Sequence, residues 1–498
     1  MTVPRPGDAG GQAPFGAGRT DAGAALHAVV GEDVEVTLVD ERSVRYVDLD
    51  AAASTAAFPE VASAVEEFLP WYASVHRGAG SKSRYATTAY EQAREAILRF
   101  AGRVVGGDDI AIICRNTTEA INHLAYRLAL DPDDVVVTTV VEHHANLLPW
   151  GRVATRRYVE CDARGTFDLD ALRAAVRQDP HPRLLAVTGA SNVTGWLPPV
   201  DEIIAVAHEA GVPVLIDAAQ LAPHRRLPSE ADFLAWSGHK MYAPFGAGAL
   251  VGPRSVFATG DPFLAGGGAV DLVDLDEVAW TDPPEREEAG SPNVVGAVAL
   301  HAAIDVLEGI GWDAVAAHEE HLARRLVAGL SAVPGIRLLG PAASTPAVST
   351  PAVAGIRPGA EVPTLATVSF VVEGIHHALV AARLGAEWGI GVRHGCFCAH
   401  PYLFRLLDLD RSEIETYRDE VRQGDHRRMP GAVRAAASAA TSDADIDRLV
   451  DAVAELAGGA PSPVAYRQDR ATGDFWPESA VPGWSADDRT IGASCARG

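Results

Sequence analysis

Lysine is almost absent from this chain. Of its 42 Lys plus Arg residues, only Lys82 and Lys240 are lysines. Arginine serves wherever else positive charge is needed, so charge alone does not explain Lys240. A lysine amine can lose its proton and attack a carbonyl, whereas a guanidinium stays charged. Lys240, in the run Ser237-Gly238-His239-Lys240, is therefore read as an amine that forms a Schiff base. The plain alternative is a leftover surface lysine, and the surrounding residues decide between the two.

Several candidate groups follow apolar runs. Asp217 closes Val212-Pro213-Val214-Leu215-Ile216. A carboxylate at the C-terminal edge of a parallel strand faces the crevice where ligands bind. Its simpler role is a helix N-cap. Gln220 follows within reach of the same crevice. Arg115-Asn116-Thr117-Thr118-Glu119 stands between a strand and a helix, where backbone N–H groups and two hydroxyls suit a phosphate. Ordinary capping would satisfy them equally well. Glu142-His143-His144-Ala145-Asn146 follows a strand and offers an imidazole face for stacking. Ser191-Asn192-Val193-Thr194-Gly195 offers an amide, and Ser237 and His239 flank Lys240 as further phosphate ligands. Glu288-Ala289-Gly290-Ser291-Pro292-Asn293 opens another helix. Pyridoxal phosphate needs an amine, an anion for its pyridine nitrogen, a stacking group, a phosphate cup and a partner for its ring oxygen. The sequence offers a candidate for each.

The elements that must position these groups alternate. Helical patterns at 90–100, 117–130 and 203–210 alternate with apolar strands at 110–113, 135–140, 184–188, 212–216 and 247–251. Continuous apolar strands between helices predict an α/β fold with a mainly parallel sheet covered on both faces. After about residue 303 the pattern becomes a smaller α+β unit. It has a helix at 318–330, a Pro/Ala/Ser-rich stretch at 341–352, a strand at 366–372 and a last helix capped by Ser442. The expected organisation is an N-terminal arm joining the small domain (1–60), a large cofactor domain (61–302), a small domain (303–460) and an irregular tail (461–498).

Composition excludes some classes. The 498 residues carry a formal charge of −24, which argues against nucleic acid or an anionic membrane as partner. No apolar run is long enough to span a bilayer, and the N-terminus lacks a secretory pattern. Five cysteines (Cys114, Cys161, Cys396, Cys398 and Cys495) are too few and odd in number for a disulfide framework, so a cytoplasmic location is expected.

Together the motifs resemble the class V aminotransferase branch of fold type I pyridoxal phosphate enzymes, nearest the Suf-type cysteine desulfurase and selenocysteine lyase group. The matching runs include His76-Arg77-Gly78, Ala86-Thr87, Thr117-Thr118-Glu119, Glu142-His143-His144-Ala145-Asn146, Asp217-Ala218-Ala219-Gln220, Ser237-Gly238-His239-Lys240 and Ala289-Gly290-Ser291-Pro292-Asn293. The resemblance implies that Lys240 holds the cofactor and that Asp217 meets the pyridine nitrogen. It gives His143 the ring face, Gln220 and Asn192 the ring oxygen, and Thr118, Ser237 and His239 the phosphate, with Thr117 beside them. It also implies a homodimer in which Ser291 reaches the neighbouring phosphate. In Val392-Arg393-His394-Gly395-Cys396-Phe397-Cys398-Ala399-His400-Pro401, Cys398 falls where similar desulfurases carry the thiol that takes sulfur from cysteine. Arg393, His394 and His400 are candidates for the field that activates it. Packing as a small apolar residue is the alternative for Cys398, and more so for Cys396. Zinc is not expected, because the Cys and His spacing is too tight. Arg434 falls where the similar enzymes fork onto the substrate carboxylate, with Arg393 as a second substrate contact.

Two departures concern the substrate: Gly80 stands where the family often has histidine, and 402–433 is long and Asp/Arg-rich. The expected activity is a cysteine desulfurase or C–S/C–Se lyase on a small amino acid, with a sulfur-acceptor protein as a candidate partner. The alternatives are β-elimination, transamination or epimerisation of a specialised amino acid on the same scaffold, or a non-catalytic cofactor binder. Retention of both Lys240 and Asp217 weighs against the last.

Overall fold

The computed structural model describes residues 23–343, 362–479 and 481. The expected N-terminal arm before residue 23, most of the Pro/Ala/Ser-rich stretch, Trp484 and Cys495 lie outside the described residues. The apolar runs form strands β1 (Asp109–Cys114), β2 (Val135–Thr139), β3 (Thr155–Val159), β4 (Leu184–Thr188), β5 (Val214–Asp217), β6 (Phe233–Ser237) and β7 (Gly248–Pro253). They make one seven-stranded sheet in the order β1-β7-β6-β5-β4-β2-β3. Only β7 is reversed, running antiparallel to both β1 and β6. Every residue of β2, β4, β5 and β6 is buried. The reason is visible in β1 and β4. Ile110, Ile112, Leu184 and Ala186 pack into one core with Ile121 and Leu124, while Ala111, Leu185 and Val187 pack into another with Ile203, Leu300 and Ile304. Both sheet faces are covered, so the strands show no polar alternation.

The helix Val294–Ile310 still belongs to this large unit, so the boundary expected at 302–303 falls inside a helix. The chain turns at Gly311, whose φ of +88° opens an 80° bend into the helix Trp312–Ser331. That helix delivers Leu322, Leu326 and Leu330 to a second core. The core is built on an antiparallel sheet of β8 (Ile336–Leu338), β9 (Thr367–Val372), β10 (Arg393–Gly395) and β11 (Ala432–Ala436), ordered β8-β9-β11-β10. The helices His377–Trp388 and Asp443–Ala457 complete it with Val380, Leu384, Ile446 and Leu449. Ser442 caps the latter in a reciprocal pair with Asp445. The N-terminal segment joins the same unit: Val47 and Leu49 enter its core, and Asp50 bridges to Ala436.

The long segment after Pro401 holds two helices. His400–Leu406 buries Tyr402, Leu403 and Leu406, whereas Arg411–Arg422 buries no residue. The tail expected to be irregular contains a hairpin of β12 (Tyr466–Gln468) and β13 (Phe475–Pro477). It docks on the small unit through Tyr466 Oη donating to Glu387 (3.0 Å) and Asp474 meeting His394 (3.4 Å). Alternation over three-residue strands is too short to read from sequence, which explains the difference. Among the described residues no single helix is long and apolar enough to cross a membrane.

One glycine sets the spacing beneath the crevice. A Cβ on Gly248 would lie 2.5 Å from the Trp236 carbonyl oxygen and 3.0 Å from Asn116 Cα, both backbone atoms. Gly248→Ala should therefore push β7 away from the loop that opens at Asn116. Overpacking of this kind costs about 1–3 kcal/mol. The expected result is a lower urea midpoint with an unchanged m-value, and an unshifted midpoint would show that the contact is relieved without cost.

Candidate active site

The carboxyl ends of β1, β2, β4, β5 and β6 meet at a cleft of about 270 Å³. Its walls include Thr117, Thr118, His143, Asn192, Asp217, Gln220, Ser237, His239 and Lys240 from the large unit, with Arg393, Cys398 and Arg434 from the small one. One pocket thus leaves out His394 and His400 and brings together every expected catalytic, cofactor and substrate residue except Ser291. That residue is exposed, on a loop fixed beneath it by Glu288, which accepts from Tyr90 Oη, Arg94 and the Ile113 N–H, each at 2.7 Å.

Lys240 ends the short turn Gly238–Lys240 after β6. The turn is tied to the N-terminal segment: the His239 carbonyl accepts from the Ser54 hydroxyl (3.0 Å) and the Thr55 N–H (2.9 Å). Among the described residues, the Lys240 amine makes no hydrogen bond and no ion pair. Burial lowers its pKa to about 8, against the pull of Asp217 and with help from Arg434. Asp217 is buried and accepts one bond, from the Ala219 N–H at 3.0 Å. Burial raises its pKa, opposed by that N–H and by Lys240.

His143 caps a short turn, its Nδ1 accepting from the Ala145 N–H at 3.0 Å. The neutral ring therefore carries its proton on Nε2. Burial, helped by Lys240, His144 and Arg434, holds its pKa down to about 3. Glu142 anchors this loop from below by accepting from Thr139 Oγ1 (2.7 Å) and Asn146 Nδ2 (2.8 Å), and burial pushes its pKa up to about 8. At the other end, Asn116 caps the helix Thr117–Arg127 through the Glu119 N–H. The Thr117 N–H and hydroxyl lie 2.8 and 2.7 Å from Ser237 Oγ, so β1 and β6 converge on one polar cup. Helix N–H groups and hydroxyls of this kind bind phosphate.

Both expected ring-oxygen partners also make structural bonds. Gln220 Nε2 donates to the Ala52 carbonyl (2.6 Å), and Asn192 Nδ2 donates to the Phe397 carbonyl (2.8 Å). The thiol loop is held a second time by the His144 N–H, which donates to the Cys398 carbonyl at 2.7 Å. Cys398 is exposed at the cleft. The expected activating field is placed differently. His394 faces Asp474, His400 stacks on His144 at 5.1 Å, and Arg393 is engaged by Asp50 at 2.9 Å. Lys240 and Arg434 line the same cleft as Cys398.

Asp50 is the residue that local sequence did not reveal. Its carboxylate accepts from Arg434 Nη2 (2.9 Å) and from Arg393 Nε (3.0 Å). Arg434 is 2% exposed, also donates to the Asn192 carbonyl (2.8 Å), and lies over the Phe397 ring at 5.1 Å. Burial pulls its pKa down to about 10, opposed by Asp50. Asp50 thus takes one terminal nitrogen of the guanidinium and the Asn192 carbonyl takes the other. For metals, the one cluster with ligand spacing among the described residues is His76, Glu91 and Glu285, and Arg94 lies against both of its carboxylates.

The residues fit pyridoxal phosphate. An unpartnered amine and an unpaired buried carboxylate open on one cleft, with a neutral imidazole and a polar cup beside them. The comparisons agree. The sequence matches the family described as Aminotransferase class-V over residues 47–449. A cysteine desulfurase of Dickeya dadantii is 36% identical over 390 residues, covering 75% of this chain and 89% of its own. Probable cysteine desulfurase 2 of Mycobacterium leprae is 35% identical over 408 residues, covering 78% and 91%. The apo structure of cysteine desulfurase from Thermococcus onnurineus NA1 overlays with a TM-score of 0.71 at 31% identity, covering 83% of this chain and 95% of that one. The cysteine desulfurase CsdA of Escherichia coli, in an S-sulfonic acid form, overlays at 0.67 with 30% identity, covering 84% and 96%.

The Lys240 environment has a consequence for stability. With a pKa of about 8 folded against 10.5 unfolded, the unfolded chain binds more protons between those values. Stability of the cofactor-free protein should therefore fall as pH drops from 10.5 to 8, and the penalty is fully present below 8. Cofactor-free Lys240→Met should resist urea better than wild type at pH 7, by an amount on the order of a few kcal/mol, and the gap should narrow toward pH 10.5. Equal midpoints at both pH values would place the amine in water.

Proposed function

The chain belongs to the class V aminotransferase family, and we propose that it is a pyridoxal-phosphate-dependent cysteine desulfurase that also accepts selenocysteine-like substrates. One observation carries this reading: Cys398 opens on the same cleft as Lys240, Asp217 and Arg434. Lys240 would hold the cofactor, Asp217 would face its pyridine nitrogen and neutral His143 would cover the ring. Thr117, Thr118, Ser237 and His239 would hold the phosphate, with Gln220 and Asn192 toward the ring oxygen. Bound there, pyridoxal phosphate supplies an electron sink for bonds broken at the substrate α-carbon.

The chain's own groups then have distinct work. Arg434 binds the substrate carboxylate in place of Asp50, and Arg393 moves with that exchange. Lys240, freed as an amine once the substrate amine takes its place, takes the proton from the α-carbon. Cys398, beside two cations, attacks the substrate sulfur and keeps it as a persulfide while alanine leaves. Gly80 is exposed and lies outside the cleft lining, and an added Cβ there would meet no atom within 4 Å. We further propose a homodimer in which the exposed Ser291 completes the other copy's phosphate site, and a sulfur-acceptor protein that reads the exposed Cys398. Cys114, Cys161, Cys396 and Cys398 are all unpaired, which suits a reducing cytoplasm.

Given L-cysteine and reductant, the enzyme should yield alanine and sulfide in equal amounts, and Cys398→Ala should lose sulfide release. Full sulfide release by that variant, or pyruvate in place of alanine, would contradict the persulfide route. Arg434→Lys removes the fork but keeps the charge. Loss of a charged hydrogen bond costs about 1.5–3 kcal/mol, so kcat/KM for L-cysteine should fall roughly ten- to hundredfold. An unchanged kcat/KM would remove Arg434 from substrate binding.

A further inference from the structure

Cys396 lies two residues before the sulfur-accepting Cys398, and no step above uses it. The backbone between them is unusual. Phe397 and Cys398 both have φ of +54°, and the Ala399 N–H donates to the Cys396 carbonyl at 2.9 Å. Successive left-handed residues closed by that bond form a type I′ turn, a conformation dominated by Gly, Asn and Asp. For a bulky Phe the left-handed region is strained. The strain is held by contacts on both sides: Asn192 and His144 grip the Phe397 and Cys398 carbonyls, and the Phe397 ring is buried.

That turn brings two thiols together at different depths. Cys398 is exposed and Cys396 is half-buried against the large unit's core. The Cys396 sulfur faces the Cys398 N–H, and the two thiols are near enough for charge on one to be felt by the other. A turn this tight keeps its first and third residues within the roughly 4.4–6.8 Å Cα separation that disulfides span. Cys396 follows β10 directly, and β10 is anchored through Arg393 to Asp50 and through His394 to Asp474.

We propose that Cys396 is a resolving thiol for the Cys398 persulfide, releasing the bound sulfur as sulfide and leaving a Cys396–Cys398 disulfide. This rests on the desulfurase reading above. Cys396 sulfur attacks the inner sulfur of the persulfide, forming the Cys396–Cys398 bond and breaking the sulfur–sulfur bond of the persulfide. The terminal sulfur leaves with its electron pair and takes up the Cys396 proton, so one thiol and one persulfide become one disulfide and one H₂S. A dithiol reductant of the thioredoxin class then returns the disulfide to two thiols and is itself oxidised to a disulfide. Disulfides in strained or exposed positions are the readily reduced ones, which suits turnover.

The test mixes cofactor-loaded wild type or Cys396→Ser with one equivalent of L-cysteine, without reductant, and follows alanine, sulfide and the mass of the tryptic peptide 394–405, which holds both cysteines. Cofactor absorbance and the urea midpoint establish that the variant is folded and loaded. Wild type should release sulfide and leave this peptide lighter by two hydrogens. Cys396→Ser should form alanine, release no sulfide, and keep a peptide heavier by one sulfur atom until dithiol is added. Equal persulfide in both proteins, or equal reductant-free sulfide, overturns the resolving role. A peptide that gains no sulfur in the variant and loses no hydrogen in wild type, with sulfide still produced, instead overturns the persulfide reading beneath it.

Discussion

Among the described residues, an amine and a carboxylate open on one desolvated cleft without an ion pair to each other or to any other charged group. This is the constraint on which the rest of the structure depends. Lys240 and Asp217 are both disfavoured in their charged forms by burial. A fold selected only for stability would pair them or replace them. Keeping them apart requires a rigid frame, and the sheet supplies it: β5 and β6 are adjacent parallel strands, buried on both faces, that end at Asp217 and Ser237. The depressed amine pKa and the unpaired carboxylate are what an aldehyde cofactor with a basic ring nitrogen requires.

The second unit brings two arginines and a thiol to that frame. Arg434 on β11 and Arg393 on β10 share Asp50 from the N-terminal segment, so three distant parts of the chain meet at one charge cluster. Asn192 couples this cluster to the thiol, because its carbonyl accepts from Arg434 while its amide holds Phe397. The position of Arg434 and that of the thiol turn are thereby mechanically linked. The tail hairpin adds a brace through Asp474 and His394.

Residues that follow long apolar strands were legible in the sequence. Lys240, Asp217, His143 and Thr117 each sit just past such a run, and the parallel-sheet rule places strand ends in a common crevice. The reversal of β7 was not legible, because an apolar run buried on both faces carries no direction. Asp50 was not legible either, since its partners are 343 and 384 residues away and a lone Asp at an isolated bridge has no local signature. The type I′ turn at Phe397 and Cys398 lacked the Gly or Asn that normally marks it. Tertiary contacts, not local preference, hold that turn.

The central claim is that the Lys240 amine is where pyridoxal phosphate attaches. Borohydride reduction of the cofactor-loaded protein fixes that linkage, and mass spectrometry of its peptides locates it. The expected result is a pyridoxyl phosphate mass on Lys240 alone, with Lys82 unmodified. Label on Lys82, or a coloured protein that carries no label on Lys240, would contradict it.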